Sequence, residues 1–183
     1  AYIEPLNEQQ RELGRIDDAL KGGIQQIERA CKPFIEEDAL DRVELKPDTY
    51  LQLNQARASI ETKSNDVRLK FKNAHNVVNL KNSEICTSTT TSQATDSCVS
   101  LNFAQERLNN LETYFLKTTT KNIQIFDNFI VVGKLEALNC VRPGFTNNLI
   151  QSYLRRVDET DISGLKYYQS KLKQLKEEIQ NYE

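Results

Sequence analysis

Apolar side chains recur at helical spacing through most of this chain. Over about residues 5–31, Leu13, Ile16, Leu20, Ile27 and Cys31 step by three, four or seven positions and line one helix face. Gly22-Gly23 is expected to bend or fray this helix. Pro33 should end it, because the residue before a proline is pushed out of the helical region. A short helical piece is expected over 34–45. A second long helix opens at Pro47-Asp48, with Pro47 as its start marker, and runs to about Leu80. Its stripe is Leu53, Ala56, Ile60, Val67, Phe71, Ala74 and Val78.

Residues 87–97, between Cys86 and Cys98, are almost all Thr, Ser and other small polar types with no apolar period, and read as a loop. Asp96 or Ser97 would cap a third helix carrying Leu101, Ala104, Leu108, Leu111 and Phe115, with a pause at Thr118-Thr119-Thr120. Residues 123–132 hold strand-like types, Ile, Phe and Val. They are read as a helix buried on most sides, since no partner strand is visible elsewhere. Arg142-Pro143-Gly144 is a turn signal, after which Thr146 or Asn147 would cap a last helical stretch. There Leu165, Tyr168, Leu172, Leu175, Ile179 and Tyr182 form a seam shorter than three heptads, which suits core packing better than an intermolecular coiled coil.

The predicted fold is all-α: a four-helix up-down-up-down bundle with extra short helical segments and two disulfides, in a single domain over 1–183. A chain of this size buries roughly 70% of the surface its unfolded form exposes, so it needs no metal to form a core.

Cysteine usage sharpens this picture. The four cysteines, Cys31, Cys86, Cys98 and Cys140, include no closely spaced pair of the kind a zinc site uses, and the single His75 does not complete one. Disulfides are the better reading, and they imply an oxidising compartment. In the up-down arrangement Cys86 and Cys98 flank one connection, while Cys31 and Cys140 close helices one and three at the other pole. Cys86–Cys98 with Cys31–Cys140 is therefore the connectivity that joins residues at the same end. A chain starting at Ala1 fits a cleaved signal peptide, so the expected location is secreted and extracellular. None of the sixteen asparagines lies in an N-glycosylation acceptor.

Chemistry is sparse. His75 sits in the apolar-striped second helix, and no nucleophile elbow occurs. Gly133-Lys134 lacks the preceding glycine and following hydroxyl of a phosphate loop, having Asn128 and Leu135 there. Adjacent acids such as Asp17-Asp18 and Glu36-Glu37-Asp38 point about 100° apart on a helix and do not converge on one atom. No enzyme activity, cofactor or metal is expected. With a net charge of −2 and no apolar run approaching a membrane span, neither nucleic acid nor a membrane span is expected.

Two binding functions remain. One is recognition of another extracellular macromolecule, through the acidic first segment (eleven acids against six bases in residues 1–44) or through Lys166, Lys171, Lys173 and Lys176. The other is carriage of a small apolar, lipid-like ligand in a cavity between helices, lined by Ile123, Phe126, Phe129 and Ile130. A helical cytokine is disfavoured. Its up-up-down-down topology needs long crossovers, and a Cys86–Cys98 bridge would make helices two and three antiparallel neighbours.

Overall fold

The computed structural model describes residues 4–46, 48, 50–86 and 92–182, without the side chains of 92–95. Pro47 and residues 87–91 of the expected polar loop lie outside the described residues. Helix accounts for 86% of the structure, and no strand occurs among the described residues. The elements are α1 (Glu4–Cys31), a 3-10 turn (Lys32–Phe34), α2 (Ala39–Arg42), α3 (Leu51–Ile85), α4 (Ser92–Ala137), α5 (Phe145–Thr160) and α6 (Leu165–Gln180). Both disulfides are present with the pairing that the up-down topology requires, Cys31–Cys140 and Cys86–Cys98.

The chain divides into two compact units, and α3 and α4 contribute to each. Unit 1 comprises Ala1–Glu61 and Lys117–Ser163. In it, α1 and α4 run parallel: Gln10 meets Thr118, Asp17 meets Asn128, and Cys31 meets Cys140. The start of α3 runs against α4, and so does α5, as Tyr153 meets Asn122 while Thr146 meets Glu136. This is an up-down-up-down arrangement of four helices. Its core joins Leu13, Leu53, Ile125, Phe126, Phe129, Ile150 and Tyr153, and a smaller cluster of Ile24, Val132 and Leu135 lies beneath the Cys31–Cys140 bridge.

One charge lies inside unit 1. The Asp17 side chain is fully buried, with Lys21 Nζ at 2.8 Å, Lys121 Nζ at 3.4 Å and Asn128 Nδ2 donating at 2.8 Å. Burial alone would raise its pKa, but hydrogen bonding and attraction from Lys21, Lys121 and Asn128 outweigh this and hold the carboxyl below its usual range.

Unit 2 comprises Thr62–Leu116 and Gly164–Glu183. Here α3 and α4 are antiparallel, since Cys86 bonds Cys98, His75 meets Glu112, and Phe71 packs on Phe115. Helix α6 runs parallel to α3, with Phe71 meeting Tyr168 and the Lys81 ammonium donating to the Tyr182 carbonyl. Phe71, Phe115 and Tyr168 form the centre, with ring centroids 5.3–6.4 Å apart. The seam residues Leu165, Tyr168, Leu172, Leu175 and Ile179 are buried, as its core role requires.

Several local expectations are corrected. Helix α1 passes through Gly22-Gly23 unbroken. The two glycines cost about 1 kcal/mol each relative to alanine, less than burial of Leu13 and Ile24 on either side of them supplies. The pause at Thr118–Thr120 is absent. Thr118 is buried, donates to Gln9 Oε1 and accepts from Gln10 Nε2, so tertiary bonds override the weak helix propensity of threonine. Helix α4 begins at Ser92, which places Asp96 and Ser97 within it and not at its cap. Periodicity reports a buried face, so a helical turn with no apolar residue but Ala94 leaves no periodic trace.

The last stretch is also two helices. Asp161 and Gly164 adopt left-handed backbone, at φ 48° and 75°, between α5 and α6, a conformation glycine enters without steric cost and aspartate tolerates. Neither Thr146 nor Asn147 caps α5. Gly144 holds that position, and the Glu136 carboxylate on α4 accepts from the Thr146 N–H at 2.9 Å.

Gly133 also has a steric reason. Its carbonyl accepts from the Tyr50 hydroxyl at 2.7 Å, and a Cβ there would lie 3.0 Å from Tyr50 Cε1 and 3.4 Å from Leu45 Cδ1. Because its own hydroxyl bond pins the tyrosine ring, Gly133→Ala is expected to destabilise by about 1–2 kcal/mol despite the better helix propensity of alanine. Urea denaturation measures this, and Tyr50→Phe combined with Gly133→Ala should recover part of the loss by letting the ring move.

Candidate functional site

The buried stripe of α6 determines where its lysines point. With Leu165, Tyr168, Leu172, Leu175 and Ile179 turned inward, positions 166, 169, 170, 173 and 176 share a flank that faces α3. Helix α3 supplies Lys70, Asn73 and Ala74 to the same place, directly beside its buried Phe71 and Val78. The result is a groove of about 580 Å³ within unit 2, lined by Lys70, Asn73, Lys166, Gln169, Ser170, Lys173 and Lys176 over Ala74 and Leu172.

Four lysines thus line one groove, and no carboxylate is among its described lining residues. Lys70 also meets Asp66 on its own helix at 3.2 Å, both side chains being about half exposed. Such an exposed pair is weak and yields readily to a competing anion. The end of α6 is held on both sides: Arg107 of α4 bonds Glu178 at 2.6 Å, the Tyr182 hydroxyl donates to the same carboxylate, and Lys81 of α3 binds the Tyr182 carbonyl. The groove walls are therefore fixed before any ligand arrives.

Of the lysines singled out from the sequence, the structure brings together Lys166, Lys173 and Lys176 and excludes Lys171. Lys171 is rotated about 140° from Lys166 around the helix, and its ammonium lies 5.6 Å from the centroid of the Tyr167 ring. Sequence reasoning missed Lys70, which is 96 positions from Lys166 in the chain. Its only sequence signal is its place one residue before Phe71 on the α3 stripe.

The acids of the first segment divide into ion-paired, buried and clustered groups. Glu8 pairs with Arg11, Glu12 with Arg15 and Arg156, and Asp17 is buried. Glu28, Glu36, Glu37, Asp38 and Asp41 line a second depression of about 640 Å³ in unit 1 together with Lys32. There Arg42 bonds Glu36 at 3.2 Å and the Glu37 carbonyl at 3.0 Å.

The four residues proposed to line an apolar cavity take different positions. Phe126 and Phe129 pack edge-to-face against each other at 5.6 Å and against Tyr153 at 6.0 and 5.5 Å, filling the core of unit 1. Ile130 is partly buried against that core, and Ile123 is 47% exposed. His75 places Nε2 3.2 Å from Glu112 Oε2, bridging α3 and α4 on the surface of unit 2. No group of His, Cys, Asp and Glu residues among those described could hold a metal ion, and no described helix is long and apolar enough to cross a membrane. No protein-family model, curated protein or solved structure matches the chain.

Proposed function

We propose that this protein is a secreted, non-catalytic binding protein that holds an anionic extracellular macromolecule in the lysine-lined groove between α3 and α6. The observation that carries this reading is the convergence of Lys70, Lys166, Lys173 and Lys176 on one groove without a lining carboxylate. Two disulfides support an oxidising, extracellular setting. Fixed helices support binding, because little backbone ordering is needed when the partner docks. The alternative of an apolar-ligand carrier has less support, since Phe126 and Phe129 are packed as core and Ile123 faces solvent.

The test is isothermal titration calorimetry at physiological salt against soluble polyanions, poly-glutamate and heparin. The wild type should bind at least one of them. The variant with Lys70, Lys166, Lys173 and Lys176 all replaced by Gln should bind roughly 30-fold more weakly, the sum of four exposed charge contacts at about 0.5 kcal/mol each. Lys171→Gln should bind as the wild type does, because that side chain lies off the groove. Equal weakening by Lys171→Gln, or no wild-type binding to either polyanion, would remove the reading.

A further inference from the structure

The arrangement of charges along the groove narrows the ligand class, and this step rests on the groove reading above. Lys166 and Lys173 are seven residues apart, which is about 10 Å along a helix axis, and Lys176 extends the line to about 15 Å. Lys70 falls between them: α3 and α6 run parallel, with Phe71 beside Tyr168 and Lys81 beside Tyr182, so Lys70 stands opposite the turn at 167–171. Between these charges lie the neutral hydrogen-bonding groups of Asn73, Gln169 and Ser170. The groove therefore presents spaced positive charges interleaved with amides and a hydroxyl. It does not present one focused anion site.

We infer that the groove takes a sulfated polysaccharide, laid lengthwise with its sulfates on the four lysines and its ring hydroxyls on Asn73, Gln169 and Ser170. Other polyanions meet the charges and fail on the rest. Ala74 is 2% and Leu172 3% exposed, so the apolar surface of the groove is chiefly the aliphatic stems of its lysines and not a pocket shaped for a fatty acid or for the apolar anchor of an acidic protein segment. No aromatic side chain is among the described lining residues, and Tyr168 is wholly buried, so unpaired nucleic-acid bases have nothing to stack on. A sulfated sugar carries charge and hydroxyls in the same repeat, without needing either.

The experiment is titration of the full chain with heparin-derived oligosaccharides of defined length, with chemically desulfated counterparts and with poly-glutamate. Affinity should rise steeply between the disaccharide and the hexasaccharide, as the ligand grows to span the lysines. Raising salt from 50 to 200 mM should weaken hexasaccharide binding about 50-fold, the expectation for four counterions released from a single-stranded polyanion. Desulfation should abolish binding, and Lys173→Glu should weaken it about 5-fold, the effect of removing one exposed charge contact and adding one repulsion at about 0.5 kcal/mol each, while Lys171→Glu should leave it unchanged. Circular dichroism confirms that each variant keeps its helix content. Equal binding of the desulfated chain, or no dependence on length, overturns the inference. Binding of poly-glutamate but not heparin overturns it too, yet leaves the general anionic-groove reading standing. Binding of neither removes both.

Discussion

Replacing Cys31 and Cys140 together with serine is expected to lower the melting temperature by roughly 10–20 °C, the largest effect of any paired substitution considered for this chain. The bridge joins residues 109 apart in sequence, from the end of α1 to the turn after α4. In the chain-entropy model a loop of about 100 residues gives roughly 4.7 kcal/mol, and a domain of this size shifts by about 2–4 °C per kcal/mol. The Cys86–Cys98 bridge closes a separation of only 12, for which the same model gives roughly 3 kcal/mol, so its double serine variant should melt higher than the first. The pair also seals the small cluster of Ile24, Val132 and Leu135, which the loss of the bridge would expose to fraying at the end of α1. Calorimetry of the two double variants in parallel decides the order, and a reversed order would mean that strain or residual denatured-state structure outweighs loop entropy.

Asp17→Asn is expected to cost about 2–3 kcal/mol, or roughly 5–10 °C, with a distinctive pH dependence. Breaking a buried ion pair from one side typically costs about 3–5 kcal/mol. The value here falls below that range because Lys21 and Lys121 remain 52% and 34% exposed and keep access to water. In the folded chain the Asp17 carboxyl is held below its usual range, so the unfolded state takes up its proton first as pH falls. The stability contributed by this group is fully present above the unfolded carboxylate pKa near 3.9 and is lost as pH falls through the lower folded value. Wild type and Asp17→Asn should therefore differ most above about pH 5 and converge in strong acid. Urea unfolding at a series of pH values measures the difference, and curves that stay parallel down to acid would show that the carboxyl titrates alike in the folded and unfolded chain.

The helices, their inward faces and both disulfide partners were legible from the residues. The stripe from Leu53 to Val78, the seam from Leu165 to Ile179 and the cysteine positions relative to helix ends each follow from local chain geometry, since a helix of 3.6 residues per turn determines which side chains share a face. The three groove lysines on α6 were legible for the same reason, as a basic run on one element.

What local geometry does not carry is the identity of the neighbour. Lys70 joined the site, and Lys171 left it, only when α3 docked on one flank of α6; no spacing within α6 specifies that flank. The burial of Asp17 is likewise decided by Lys121 and Asn128, more than a hundred residues away. Thr118 stays helical because glutamine side chains of α1 satisfy it, and Gly133 is glycine because Tyr50 crosses above it. Periodicity determined which faces of this chain are buried, because burial follows the hydrophobic pattern. Which faces meet was decided by tertiary packing, where contacts between distant residues outweigh propensities of a few tenths of a kcal/mol per residue.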